Sequence, residues 1–203
     1  MKNPFLPILL FICLLTSCSG GQLDSPYVYN SDPNYSWGYT EFFGNYYGSY
    51  GNKNNIISLS LFSDSLKTND IGNVTGTGQY LFLEDIYVSK TDTLLPAGTY
   101  IVNNSGLPFT VSPGKKDTID NEVYQQGTYI SYLESNSINS TIKLITSGSF
   151  VVSVQGLRYN IAFDLKTADS NVLKGRFTGQ LPNYGGSVGL KESSPRKRLL
   201  YNR

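Results

Sequence analysis

The sequence predicts an all-β fold, a single antiparallel β-barrel or β-sandwich of roughly nine or ten strands. Residues 37–182 are rich in Tyr, Val, Ile, Phe and Thr, the residue types that favour strands. Clusters of Gly, Asn, Asp and Ser interrupt this composition about every ten residues, which is the spacing of turns in sandwiches and barrels. No stretch shows a convincing helical period.

Each predicted strand is a short apolar or alternating run bounded by turn-forming residues. In chain order the strands are GYTEFFGNYYGSY (38–50), IISLSLFS (56–63), QYLFLEDIYV (79–88), GTYIV (98–102), TYISYL (128–133), TIKLIT (141–146), SFVVSVQ (149–155), LRYNIAFDL (157–165) and VLKGRFTG (172–179).

The alternation is clearest in the last two runs. Successive side chains of a strand point to opposite faces, so residues 157–165 present one apolar and one polar face. KTADSN (166–171) supplies a turn, and the returning strand again alternates. The residues expected to face the core are Tyr159, Ile161, Phe163, Leu165, Leu173 and Phe177.

Composition excludes several classes of function. The chain has 16 basic and 15 acidic residues, whereas a dedicated nucleic-acid-binding domain is normally strongly basic. Histidine is absent, which argues against zinc and copper sites and removes the usual general base near neutral pH. Oxygen-ligand metals and carboxylate chemistry stay open on these grounds. Because no motif supports either of them, we predict no metal, no cofactor, no nucleic-acid partner and no catalytic activity.

The first eighteen residues predict an export signal and an anchor. Lys2 precedes an apolar run, Phe5–Leu15, which is too short to span a bilayer and suits a signal peptide. The run ends in Leu15-Thr16-Ser17-Cys18, which resembles the signal of bacterial lipoproteins, the lipobox. This resemblance implies cleavage before Cys18, a thioether-linked lipid and acylation, such as palmitate, on Cys18. Ser19 then resembles an outer-membrane sorting signal.

The chain accordingly divides into four predicted parts. Residues 1–17 are the signal peptide, and residues 18–36 are the lipidated cysteine with a flexible tether rich in Gly, Ser, Pro and Asp. Residues 37–182 form the β domain. Residues 183–203 are a flexible basic tail that contains Arg196-Lys197-Arg198.

Three stretches carry a further resemblance: YYGSYG (46–51), LPAGTYIV (95–102) and YNIAFDLKTADSNVLKGRFTGQL (159–181). With them the chain resembles a group of small β-rich lipoproteins of unknown function from gut Bacteroidetes. The resemblance implies a compact, loosely lipocalin-like barrel or sandwich in the cell envelope, as an outer-membrane lipoprotein that is periplasmic or surface-exposed. It implies no catalytic residues.

The strongest candidate for ligand binding is the aromatic segment 35–50. Aromatic rings that lie exposed beside polar groups can stack on sugars, because each ring has an apolar body and, in Tyr and Trp, a polar tip. We assign ligand binding to Trp37, Tyr39, Tyr46 and Tyr47, with the alternative that these rings only cover the rim of the sheet. The adjacent carboxylates Glu84 and Asp85 are expected to point to opposite faces of their strand.

The sequence thus predicts an envelope-anchored lipoprotein whose non-catalytic β domain binds a glycan or another small ligand. A structural or adhesive envelope component without a ligand site is the main alternative. A carboxylate-dependent glycoside hydrolase, which needs two carboxyl groups on either side of a sugar, is the other. The oligomeric state stays open.

Overall fold

The fold is described here from a computed structural model that covers residues 29–68, 74–119, 122–134 and 141–185. Within these ranges there is no α-helix, and the helical element present is a 3₁₀ turn, Gly48–Tyr50. No helix in this part of the chain has the length and apolar character needed to cross a bilayer. The predicted all-β class is confirmed. The predicted signal peptide and Cys18 lie outside the described residues.

The described residues form sixteen strands. They are β1 (Asn34–Tyr35), β2 (Trp37–Gly44), β3 (Asn55–Phe62), β4 (Lys67–Thr68), β5 (Val74–Thr75), β6 (Gly78–Val88), β7 (Gly98–Val102), β8 (Thr110–Val111), β9 (Lys115–Ile119), β10 (Glu122–Gln126), β11 (Tyr129–Leu133), β12 (Thr141–Gln155), β13 (Arg158–Thr167), β14 (Val172–Leu173), β15 (Arg176–Gln180) and β16 (Asn183–Gly185). The number exceeds the prediction because several strands have only two residues, and such short pairings leave no periodic signal.

Five strands close into a barrel, which decides between the two predicted architectures. The strands β6, β8, β7, β12 and β11 are each hydrogen-bonded to the next, and β11 returns to β6. Because β7 and β8 run parallel, the barrel is mixed rather than wholly antiparallel. Beyond β12 the sheet continues through β13, β14, β15 and β1, and beyond β6 through β3, β2 and β16. The pairs β4–β5 and β9–β10 form separate hairpins.

The two N-terminal strands pair with the two C-terminal strands, although β1 and β16 themselves lie at opposite ends of the sheet order. β1 pairs in parallel with β15, and β16 pairs in parallel with β2, which follows β1 after one residue. The sheet therefore begins at Asn34, inside the predicted tether, and ends at Gly185, inside the predicted tail. Tyr35 explains the earlier start, because its side chain is buried and packs edge-on against Phe163 with a centroid distance of 6.2 Å.

The interior is filled by large apolar side chains, since every strand directs alternate residues inward. The alternation predicted for residues 158–165 is confirmed by the burial of the four predicted residues and the exposure of those between them. At the centre the rings of Tyr100 and Phe150 stack with centroids 4.7 Å apart and 3° between their planes. The barrel is consequently a packed core.

The strand directions define two ends of the barrel. The upper end carries the connections 45–54, 89–97 and 103–109 and the turn Gly156–Leu157, because β2, β6 and β12 finish there and β3, β7, β8 and β13 begin there. The lower end carries the chain entry at Tyr29, the β4–β5 hairpin and the turn at residues 168–171.

Candidate ligand-binding face

The outer surface of β2, β3 and β6 collects the aromatic and acidic residues singled out in the sequence. Trp37, Tyr39, Glu41 and Phe43 alternate along β2, so they share this outer face. The strand register places residues of β3 and β6 beside them in transverse rows. From the lower to the upper end the face has three zones: the lower aromatic zone around Trp37 and Tyr39, the carboxylate row of Glu41, Glu84 and Asp85, and the upper aromatic zone around Tyr46 and Tyr47.

The lower aromatic zone is a ladder of stacked rings. Trp37 is opposite Phe62, which is opposite Tyr80. The Trp37 and Phe62 rings are 4.1 Å apart at 13°, and the Phe62 and Tyr80 rings are 5.5 Å apart at 27°. The indole Nε1 of Trp37 donates a hydrogen bond of 2.8 Å to the Leu66 carbonyl. Phe62 thus covers one face of a half-buried indole whose polar group is already satisfied.

Tyr39 and Tyr184 extend the ladder toward β16. The ring of Tyr39 lies 6.0 Å from Phe62 and 5.6 Å from Tyr184, which it meets edge-on. Tyr184 is 58% exposed. Burial raises the pKa of Tyr39 far above its usual value, and the nearby Glu41 carboxylate raises the pKa further. Tyr39 therefore stays a neutral phenol that donates as well as accepts hydrogen bonds.

The carboxylate row contains a β-bulge that corrects the sequence expectation for Glu84 and Asp85. Ile57 pairs with Ile86 and Leu59 pairs with Leu83, so Ser58 alone stands opposite both acidic residues. Since Leu83 and Ile86 both lie in the core, the two carboxylates between them point to the same outer side. The expectation of opposite faces was wrong, because it assumed an unbroken period of two.

Both bulge carboxylates are buried and bonded to other segments of the chain. Glu84 accepts a hydrogen bond of 2.5 Å from the backbone N–H of Gly127, between β10 and β11. Asp85 accepts one of 2.7 Å from the Tyr47 hydroxyl. Next to them Ser58 donates to Glu41 at 3.2 Å. The bulge therefore fixes the β10–β11 connection and the loop after β2 against the barrel.

The upper aromatic zone holds the other two predicted ligand-binding residues. Tyr46 and Tyr47 pack against the buried cluster of Phe43, Ile56 and Tyr87. Burial raises the pKa of Tyr47 far above its usual value, and the charge of Asp85 adds to the rise. The structure thus brings Trp37 and Tyr39 together in one zone and Tyr46 and Tyr47 together in another, with the carboxylate row between the two pairs.

One residue of this face, Tyr184, and the bulge at Glu84 and Asp85 were not predicted from the sequence. Tyr184 was assigned to the tail, and only its pairing opposite Glu41 on β2 brings it beside Tyr39. The bulge did leave a signal in the sequence, because the core-facing residues change from odd numbers (Leu81, Leu83) to even numbers (Ile86, Val88) across the two acidic residues. The described residues contain no group of three or more Cys, Asp or Glu side chains arranged to hold a metal ion.

Comparison with known proteins assigns no family to the chain: no family model, no curated protein and no solved structure matches it. The resemblances noted in the sequence therefore remain predictions.

Proposed function

We propose that this protein is a lipid-anchored component of a bacterial envelope whose barrel binds a glycan on the lower aromatic zone of its outer face. The binding residues are Trp37, Tyr39 and Tyr184, with Glu41 beside them. The protein has no catalytic role in this proposal. The main support for the proposal is the arrangement of these three aromatic rings. They are partly exposed, they are held in place by neighbouring rings, and they lie next to the Glu41 carboxylate.

The stacking geometry suits a sugar for two reasons. Trp37 and Tyr39 are braced by Phe62, so little conformational entropy is lost when a ligand packs against them. The indole N–H is already bonded, which leaves the ring to offer an apolar surface to the C–H face of a sugar. Glu41 supplies hydrogen-bond acceptors for sugar hydroxyls at the border of the rings.

A site on the outer face also agrees with the filled interior. A ligand inside the barrel, as in a lipocalin, would have to displace the stacked pair of Tyr100 and Phe150. Removing such rings from a packed core costs about 3–5 kcal/mol each. A ligand on the outer face displaces only water.

The glycan proposal is tested by screening the protein on a glycan array and then measuring the affinity of Tyr184→Ala for the best neutral oligosaccharide. We expect a loss of at least about tenfold, as for an aromatic anchor of an interface. Tyr184 is largely exposed, so its removal leaves the fold intact. Tyr50→Ala is the matched control, since Tyr50 is an 85% exposed ring that packs beside Tyr47, outside the lower aromatic zone, and it should bind normally. Unchanged affinity in Tyr184→Ala and Trp37→Ala would contradict the site, and an array without any signal would favour the structural or adhesive alternative.

The anchor is tested separately. In the producing bacterium, Cys18→Ala is expected to abolish palmitate labelling and to move the protein from the detergent phase to the aqueous phase in Triton X-114 partitioning. The reason is that each buried methylene contributes about 0.8 kcal/mol to membrane attachment. Cys13→Ala is the matched control, because Cys13 is the other cysteine of the chain and should not carry the lipid. Labelling that persists in Cys18→Ala would overturn the assignment.

A further inference from the structure

We propose that the upper end of the barrel docks onto a lipid bilayer that contains anionic headgroups. The first observation is the exposure of three leucines, each on a different connection of that end. Leu94 is 53% exposed, Leu107 is 62% exposed and Leu157 is 77% exposed. A group of large apolar side chains with this much exposure is uncommon on a protein surface that contacts only water.

The topology is what groups them. Leu94 lies in the connection from β6 to β7, Leu107 in that from β7 to β8, and Leu157 in the turn from β12 to β13. The connections of Leu94 and Leu157 belong to the upper end because β7, which begins there, is antiparallel to β12. The connection 103–109 lies there because the Gly106 carbonyl accepts hydrogen bonds from Asn52 and Asn54 of the upper connection 45–54. Tyr50, Phe109 and Val154 add exposed apolar surface at the same end.

Basic residues accompany the leucines. Lys53, Lys90 and Arg158 are all exposed: Lys90 shares the connection 89–97 with Leu94, Arg158 directly follows Leu157, and Lys53 lies in the other upper connection, 45–54. Asp92, half-buried, is the acidic residue of the connection that carries Lys90. The two ion pairs found among the described residues, Lys143–Asp169 and Arg176–Asp32, lie at the lower end and leave these three cations to other partners.

Apolar tips with cations beside them match the chemistry of a membrane surface. Because the leucines lie on separate connections with basic residues among them, an anionic bilayer interface, into which each side chain can insert separately, suits them. The cations remain at the level of the headgroups, where each basic residue strengthens attachment to an anionic surface.

This inference is independent of the lipid anchor and compatible with it. Tyr29 enters at the lower end, and residues 19–28 reach at most about 36 Å when fully extended. The eleven residues of β6 run about 36 Å along the strand and, because barrel strands are tilted, a shorter distance along the barrel axis. A chain held at Cys18 is therefore long enough for the upper end to reach the same bilayer.

The test uses the full chain with Cys13→Ser and Cys18→Ser, which removes both native thiols and any anchor. A new cysteine, Leu157→Cys at the upper end or Lys174→Cys at the lower end, carries an NBD fluorophore. The variants are mixed with vesicles of phosphatidylcholine and phosphatidylglycerol that contain a spin-labelled phosphatidylcholine as quencher. We expect severalfold stronger quenching at position 157 than at position 174. Both variants share the same first 28 residues, so vesicle binding by the apolar leader does not produce this difference.

A second variant tests the charges. Lys53→Gln, Lys90→Gln and Arg158→Gln together should weaken binding to the anionic vesicles by about 100-fold, because each exposed cation contributes about fivefold. Binding to pure phosphatidylcholine vesicles should change little. Equal quenching at positions 157 and 174, or stronger quenching at 174, would overturn the proposal and leave the upper end to a protein or glycan partner. Since Cys18 is replaced throughout, neither result bears on the lipid anchor.

Discussion

Replacing Phe150 with alanine is expected to lower the free energy of unfolding by about 3–5 kcal/mol, the range for deletion of a fully buried ring. Phe150 is 1% exposed, stacks on Tyr100 and lies 5.6 Å from the ring of Phe163. It belongs to β12, the strand that pairs with β7, β11 and β13. The cavity would therefore open where the closed barrel and its attached strands share their core.

Urea unfolding followed by fluorescence of the single tryptophan measures this effect. With a denaturant slope of about 2 kcal/mol per molar, the midpoint should fall by roughly 1.5–2.5 M. Val151→Ala is the matched control, because Val151 is the next residue on the strand, points outward and is 49% exposed. Its midpoint should move by less than about 0.5 M, since surface substitutions cost little. Similar midpoints for the two variants would show that the interior is not packed as described.

Replacing Gly127 with alanine is expected to destabilise the fold by more than about 3 kcal/mol, the sum of a backbone strain and a steric collision. Gly127 has a φ of +78°, a conformation that side chains disfavour. A Cβ there would lie 2.1 Å from the Pro113 carbonyl oxygen. Because the Gly127 N–H donates to the buried Glu84 carboxylate, the segment cannot shift away without breaking that bond as well.

Gly51→Ala separates the two contributions. Gly51 has a similar φ of +85°, but a Cβ there would meet nothing within 4 Å. Its substitution should therefore cost only the backbone strain, about 1–2 kcal/mol. The same urea titration compares the two variants, and soluble yield serves as the readout if Gly127→Ala does not fold. Equal stability of the two alanine variants would contradict the close contact between Gly127 and Pro113.

The aromatic segment 35–50 shows which contacts the residue spacing can predict and which it cannot. The spacing of two predicts that Tyr35, Trp37 and Tyr39 share one face if they lie on a single strand. Tyr35 lies on the separate strand β1 and packs into the core, but Trp37 and Tyr39 do share a face on β2. Their placement apart from Tyr46 and Tyr47 follows from the length of β2 and from the bend at Gly44, which has a φ of +58°. Tyr184 joins them through a contact between residues more than 140 positions apart, and no local pattern encodes such a contact.

The bulge at Glu84 and Asp85 is only partly predictable from the sequence. The core-facing residues change from odd to even numbers across it, but this change shows only that the strand contains one extra residue. Which side the extra carboxylate takes depends on Gly127 and Tyr47, which approach from the β10–β11 connection and from the loop after β2. Tertiary partners therefore set its direction.

The sequence by itself determined the all-β class and the inward set of its most regular strands, because a period of two between turn-forming residues is a local property that few other structures satisfy. Only the tertiary structure decided that the sheet closes into a mixed barrel, that its N-terminal strands pair with its C-terminal strands, and which rings share one surface. These features depend on pairings such as β7 with β8 in the barrel and β1 with β15 in the attached sheet, short segments whose partners are chosen by the packing of the whole core and not by their own residues.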